Sequence, residues 1–136
     1  MPDTDENTRG KPIVLVVDDE RTVRQLMVRT LAESGCRVLE AADGQQALAI
    51  LDAVQEPVSL VITDLRMPVM GGRELAARLA GRTPPPPVLF VSGYTDAAHL
   101  RELPGPLLVK PFVPDVLAAR VAALLHGEIP HGVDDN

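Results

Sequence analysis

The chain has 136 residues, 46% of them hydrophobic, which suffices for one domain with a proper core. Its formal net charge of −6 argues against the clustered basic face of a nucleic-acid surface, and no apolar run approaches the roughly 18 residues of a membrane-spanning helix. With Trp 0, Tyr 1 and Phe 2, the core must be built from Val, Leu, Ile and Ala.

Residues 1–11 are polar and acidic without an apolar centre, so they read as a disordered lead-in rather than a secretory signal. Residues 12–19 (PIVLVVDD) form a continuous β-branched run, as in a strand covered on both faces. Residues 20–35 then place Val23, Leu26, Met27 and Leu31 at helical spacing, with Gly35 as the stop. A second strand spans 36–42, and Asp43 with Gln46 makes a capping-box-like start for a helix over 44–55. The third strand (57–65) ends in Asp64; the loop RMPVMGG follows, then a helix over 73–81.

The run TPPPP (83–87) cannot be helical and holds the chain extended before a fourth strand over 88–93. A short polar helix is expected at 96–103, capped by Thr95, and a short fifth strand within 104–112. Pro114 opens the last helix, with Leu117, Val121, Leu124 and Leu125 on one face. Residues 127–136 read as a flexible tail, leaving 12–126 as the domain. The repeated βα order predicts an α/β fold: a doubly wound, five-stranded parallel sheet with helices on both faces. The single Cys36 cannot form an intrachain disulfide, which fits a reducing, cytoplasmic setting.

In such a sheet ligands bind beyond the carboxyl ends of the strands. The first strand delivers Asp18 and Asp19 there, the third Asp64, the fourth Ser92 and the fifth Lys110, whereas the second ends in Ala41 and Ala42. At an effective dielectric near 20, like charges ~4 Å apart repel by roughly 4 kcal/mol, so three carboxylates in one crevice call for a cation. Oxygen donors without His or Cys suit Mg²⁺, which usually shares its coordination with a phosphate. A carboxylate can itself accept phosphorus as an acyl phosphate, with a lysine and a hydroxyl stabilising the transferred charge.

The segments "DDE", "TDLRMPVMGG", "SGY" and "KPF", in this order at these strand ends, resemble the receiver domains of two-component response regulators over roughly residues 12–126. The resemblance implies a flavodoxin-like sheet of the receiver type, acting as a signalling phosphoacceptor rather than an enzyme. Asp64 would take a phosphoryl group from a histidine of a sensor histidine kinase or histidine phosphotransfer protein. Asp19 and Asp64 would bind Mg²⁺ directly, the backbone carbonyl of Arg66 would be a third ligand, and Asp18 would act largely through water. Ser92 would hydrogen-bond a phosphoryl oxygen, Lys110 would pair with the phosphoryl charge, and Pro111, after a cis bond, would fix its loop. Pro68, Gly71 and Gly72 would shape the turn beside the acceptor. Where family members often carry an aromatic three residues before the lysine, this chain has Leu107, so the switch is expected to run through Tyr94 and the helix at 96–103.

Three further readings compete. The wording of "FVSGY" and "PLLVKPF" is similar to receivers attached to hybrid sensor kinases, so the sequence could be a receiver excised from one. A Mg²⁺-dependent phosphatase of the haloacid-dehalogenase kind would place its nucleophile after the first strand, where this chain has "DDERT". A pseudo-receiver would only bind. The histidines His99, His126 and His131 have no site around them and are given no chemical role.

Overall fold

The computed structural model describes residues 10–93 and 103–126. Along them run β1 (Ile13–Val17), α1 (Arg21–Glu33), β2 (Arg37–Ala41), α2 (Gly44–Ala53), β3 (Leu60–Asp64), α3 (Gly72–Leu79), β4 (Val88–Gly93), β5 (Leu107–Lys110) and α4 (Pro114–Leu125). The helix expected from residue 96 and the residue Tyr94 lie outside the described residues, as do both chain ends. β3 begins at Leu60, later than expected. Pro57 has no N–H to give a ladder, although Ser59 still donates to the Ile13 carbonyl at 2.8 Å.

The strands form one parallel sheet in the order β2-β1-β3-β4-β5. Strand order reverses between β1 and β3, and the crevice at that switch opens beyond their carboxyl ends. Alternation along the strands divides the core into two layers. Val14, Val16, Leu60, Ile62, Leu89, Val91 and Leu108 meet Met27 and Leu31 of α1 and Leu117 and Val121 of α4 on one face. Leu15, Val17 and Val61 meet Ala47 of α2 and Leu75 and Leu79 of α3 on the other. Burying each such Val or Leu side chain stabilises the fold by about 1.5–3 kcal/mol before conformational entropy is counted.

Local signals agree with this packing. α1 closes with Gly35 at φ +98°, its N–H donating to Ala32 and that of Cys36 to Leu31, the paired bonds of a Schellman end. Asp43 accepts the Gln46 N–H at 2.8 Å, as the expected cap requires, while the Gln46 side chain reaches one residue further back and accepts the Ala42 N–H at 2.9 Å.

The connection from β3 to α3 is held tightly. A Cβ on Gly72 would collide with the Asp64 carbonyl oxygen, so the chain can turn this close to β3 only with glycine. Met70 is buried against Gly44, whose N–H donates to the Met70 carbonyl at 3.2 Å. The Met70 N–H in turn donates to Pro68 at 2.8 Å, which makes Val69, at φ +71°, the centre of a γ-turn of the rare, strained kind. A β-branched residue there costs on the order of 1–2 kcal/mol, and the Val69 side chain is 71% exposed, so it regains little by burial. Val69→Asn should therefore raise the unfolding free energy by about 1 kcal/mol in urea titration. Gly72→Ala should lower it by about 2 kcal/mol, because a backbone carbonyl has to move.

Candidate functional site

Three segments deliver charge to the crevice. The alternation that buries Val14 and Val16 on the α1 and α4 side carries Asp18 to that side of the β1 tip; the same parity carries Asp64 after Leu60 and Ile62, and Lys110 after Leu108. Asp18 is fully buried and Asp64 is 7% exposed. Between them lies the Lys110 ammonium, with Nζ 3.1 Å from Asp18 Oδ2, 3.2 Å from Asp64 Oδ2 and 3.0 Å from Glu20 Oε1. Glu20 arrives from the residue preceding α1, and its backbone N–H donates to Asp18 Oδ1 at 2.8 Å.

One cation among three carboxylates leaves the pocket formally two charges negative. Burial raises the Asp18 carboxyl above its ordinary value, against the opposing pull of the Glu20 N–H and of Lys110. Burial and then the charge of Asp18 raise Asp64 in the same way, against Lys110 and the Arg66 N–H. For Lys110 burial alone would lower the value. The hydrogen bond to Glu20 and the charges of Asp18 and Asp64 outweigh it, so the ammonium is held above its usual range. Carboxylate oxygens of Asp18, Glu20 and Asp64 lie within 4.8 Å of one another. An all-oxygen, over-negative pocket of this span fits a hard divalent cation such as Mg²⁺. Ser92 adds a second indication: its Oγ is buried at 1% exposure and has no hydrogen-bond partner, although a buried hydroxyl is ordinarily satisfied.

The structure thus brings Asp18, Asp64 and Lys110 together, with Ser92 buried at the end of the adjoining strand. Asp19 differs from the sequence reading. It is exposed and is not among the grouped carboxylates, which are those of Asp18, Glu20 and Asp64. Glu20, which the sequence reading did not name, joins this group two residues after Asp18. Arg66 is exposed, and its backbone N–H reaches Asp64. Pro111 follows a cis bond to Lys110. Leu107 is half-buried, and its carbonyl accepts from Arg120 Nη1 at 3.2 Å.

These electrostatics set a direction for stability. A carboxyl whose folded value is raised contributes stability that is full below the ordinary 3.8 and lost as pH climbs through the folded value. At neutral pH without metal, Asp64→Asn should therefore be more stable than wild type by on the order of 1 kcal/mol. The advantage should shrink as pH falls towards 3.8, which thermal melts across a pH series will show.

Comparison with known proteins agrees with this geometry. Residues 14–122 match the family described as response regulator receiver domain. The chain is 39% identical over 120 residues to the sensor kinase CckA of Brucella abortus, covering 85% of this chain but 13% of that protein. It is 34% identical over 126 residues to the response regulator protein FleR of Pseudomonas aeruginosa, covering 90% of this chain and 26% of FleR. Among solved structures, the receiver domain of the hybrid histidine kinase CckA superposes with a TM-score of 0.71 at 34% identity, covering 83% of this chain and 98% of that one. The chemotaxis response regulator CheY4 of Vibrio cholerae gives 0.71 at 30% identity, covering 84% and 98%. The chain therefore spans a small part of these longer curated relatives and nearly all of the solved receivers. With this sheet order and this pocket, the chain belongs to the response regulator receiver domain family, the phosphoacceptor modules of two-component signalling.

Proposed function

We propose that Asp64 is the phosphoacceptor of this receiver and that Lys110 and Ser92 serve the group it accepts. The observation that carries the reading is the Lys110 ammonium 3.2 Å from Asp64 Oδ2, beside a buried Ser92 hydroxyl that lacks a partner. An Asp64 carboxylate oxygen attacks the phosphorus of a phosphohistidine. The P–O bond forms as the P–N bond breaks, and the imidazole nitrogen leaves with its electron pair and takes a proton from solvent. Lys110 then exchanges a carboxylate contact for the phosphoryl charge, and Ser92 Oγ donates to a phosphoryl oxygen.

Mg²⁺ held in the pocket supplies the charge neutralisation that lets anionic phosphorus approach anionic oxygen. Asp64 and the acidic turn 18–20 would hold it, with the Arg66 carbonyl as a further oxygen ligand. Resemblance to receivers assigns the turn's direct bond to Asp19, whereas the grouping favours Asp18 and Glu20. The donor is a sensor histidine kinase or a histidine phosphotransfer protein. Similarity to the CckA kinase and its receiver favours a hybrid-kinase context as a second reading. A cytoplasmic location is part of the same proposal: among the described residues no helix is long and apolar enough to cross a membrane. With Leu107 in the usual aromatic position, Tyr94 is the residue we assign to the switch, and Pro111 fixes the Lys110 loop.

A small acyl-phosphate donor with Mg²⁺ should add about 80 Da, one phosphoryl group, to the wild-type chain and nothing to Asp64→Asn. An unmodified wild-type mass would sink the reading. Mg²⁺ titration by calorimetry of Asp19→Asn and Glu20→Gln separates the two ligand sets. The direct ligand is the one whose loss weakens binding at least tenfold.

A further inference from the structure

We infer that Arg24 is a positioning residue for the acidic pocket: it holds the backbone carbonyl of Asp18 so that the Asp18 carboxylate faces Lys110. Arg24 follows Glu20 by one helical turn, its N–H donating to the Glu20 carbonyl at 2.9 Å. Its guanidinium folds back over the start of α1. Nη1 donates to the Asp18 carbonyl at 2.7 Å, and Nε donates to Glu40 Oε1 at 2.9 Å. Glu40 stands on β2 opposite Val16, so the fork ties the neighbouring strand to the first peptide beyond β1.

The remaining polar atoms of Asp18 show what this bond completes. Its N–H donates to Ala41 at 3.1 Å, and its Oδ1 accepts from the Glu20 N–H at 2.8 Å. With the carbonyl taken by Arg24, Oδ2 alone lacks a hydrogen bond, and it lies 3.1 Å from Lys110 Nζ as an ion-pair partner. Every other polar atom of the residue is held, so the free oxygen has one direction left to face. The Arg24 side chain is 16% exposed, unlike the Arg78–Glu74 pair on α3, where both partners are more than half exposed. Two acceptors in different directions, met from two nitrogens of one plane, need a guanidinium; an ammonium carries the charge but not the fork.

The metal arm of the test rests on the Mg²⁺ reading above, whereas the carbon-resonance arm does not. In metal-free protein, the backbone carbonyl and side-chain carboxyl ¹³C resonances of Asp18 should move in both Arg24→Gln and Arg24→Lys. They should stay in place in Arg29→Gln, an exposed arginine of the same helix. Mg²⁺ affinity by calorimetry should fall roughly tenfold in both Arg24 variants, the usual effect of losing a group that orients a ligand. Unmoved Asp18 resonances in Arg24→Gln would overturn the assignment, as would wild-type resonances in Arg24→Lys, which would reduce the residue to its charge. Should Arg24→Gln not fold, Arg24→Lys decides by the same resonances. Wild-type protein that bound no Mg²⁺ would overturn the metal reading and leave the resonances to judge Arg24.

Discussion

One ammonium shared among three carboxylates organises this end of the molecule. Lys110 Nζ sits 3.0 to 3.2 Å from oxygens that reach it from the β1 tip, the start of α1 and the β3 tip. Left alone, the three anions would repel one another by several kcal/mol at these separations, and burial would deepen the cost. The lysine offsets part of that and leaves a surplus of negative charge, a condition that suits a hard divalent cation. Parallel register makes the meeting possible. Val17 opposite Thr63 and Gly93 opposite Lys110 bring tips separated by scores of residues in sequence to one edge.

Much of this was legible because two periods alternate so plainly in the chain. The β-branched runs gave the strands and the helical spacing gave the helices. The polar residues that interrupt those runs mark the strand ends, Asp64 and Lys110 among them. Asp19 and Glu20 were harder. Three consecutive acids carry no sign of which points inward, and only the parity of Val14 and Val16 with the α1 face points to Asp18. The Arg24 contacts were not legible either, since they depend on Glu40 lying across the β1–β2 ladder. Nor could the loop RMPVMGG at 66–72 reveal a valine at positive φ.

That valine shows how firmly the surroundings fix the loop after Asp64. Met70 is locked against Gly44, and Gly72 packs where no side chain fits, so the intervening residue takes the conformation that remains. Rigid anchors on both sides turn a local penalty into a defined loop shape next to Asp64.

The aliphatic make-up of the core has a practical corollary. Without an indole anywhere in the chain, and with Tyr94 as its one phenol, the domain is dark at wavelengths that excite tryptophan alone. Phe112, two residues past Lys110 and packed against the α1 side of the core, is a natural place to install a single fluorophore. Light emitted from there would come from the mouth of the pocket against an almost empty background.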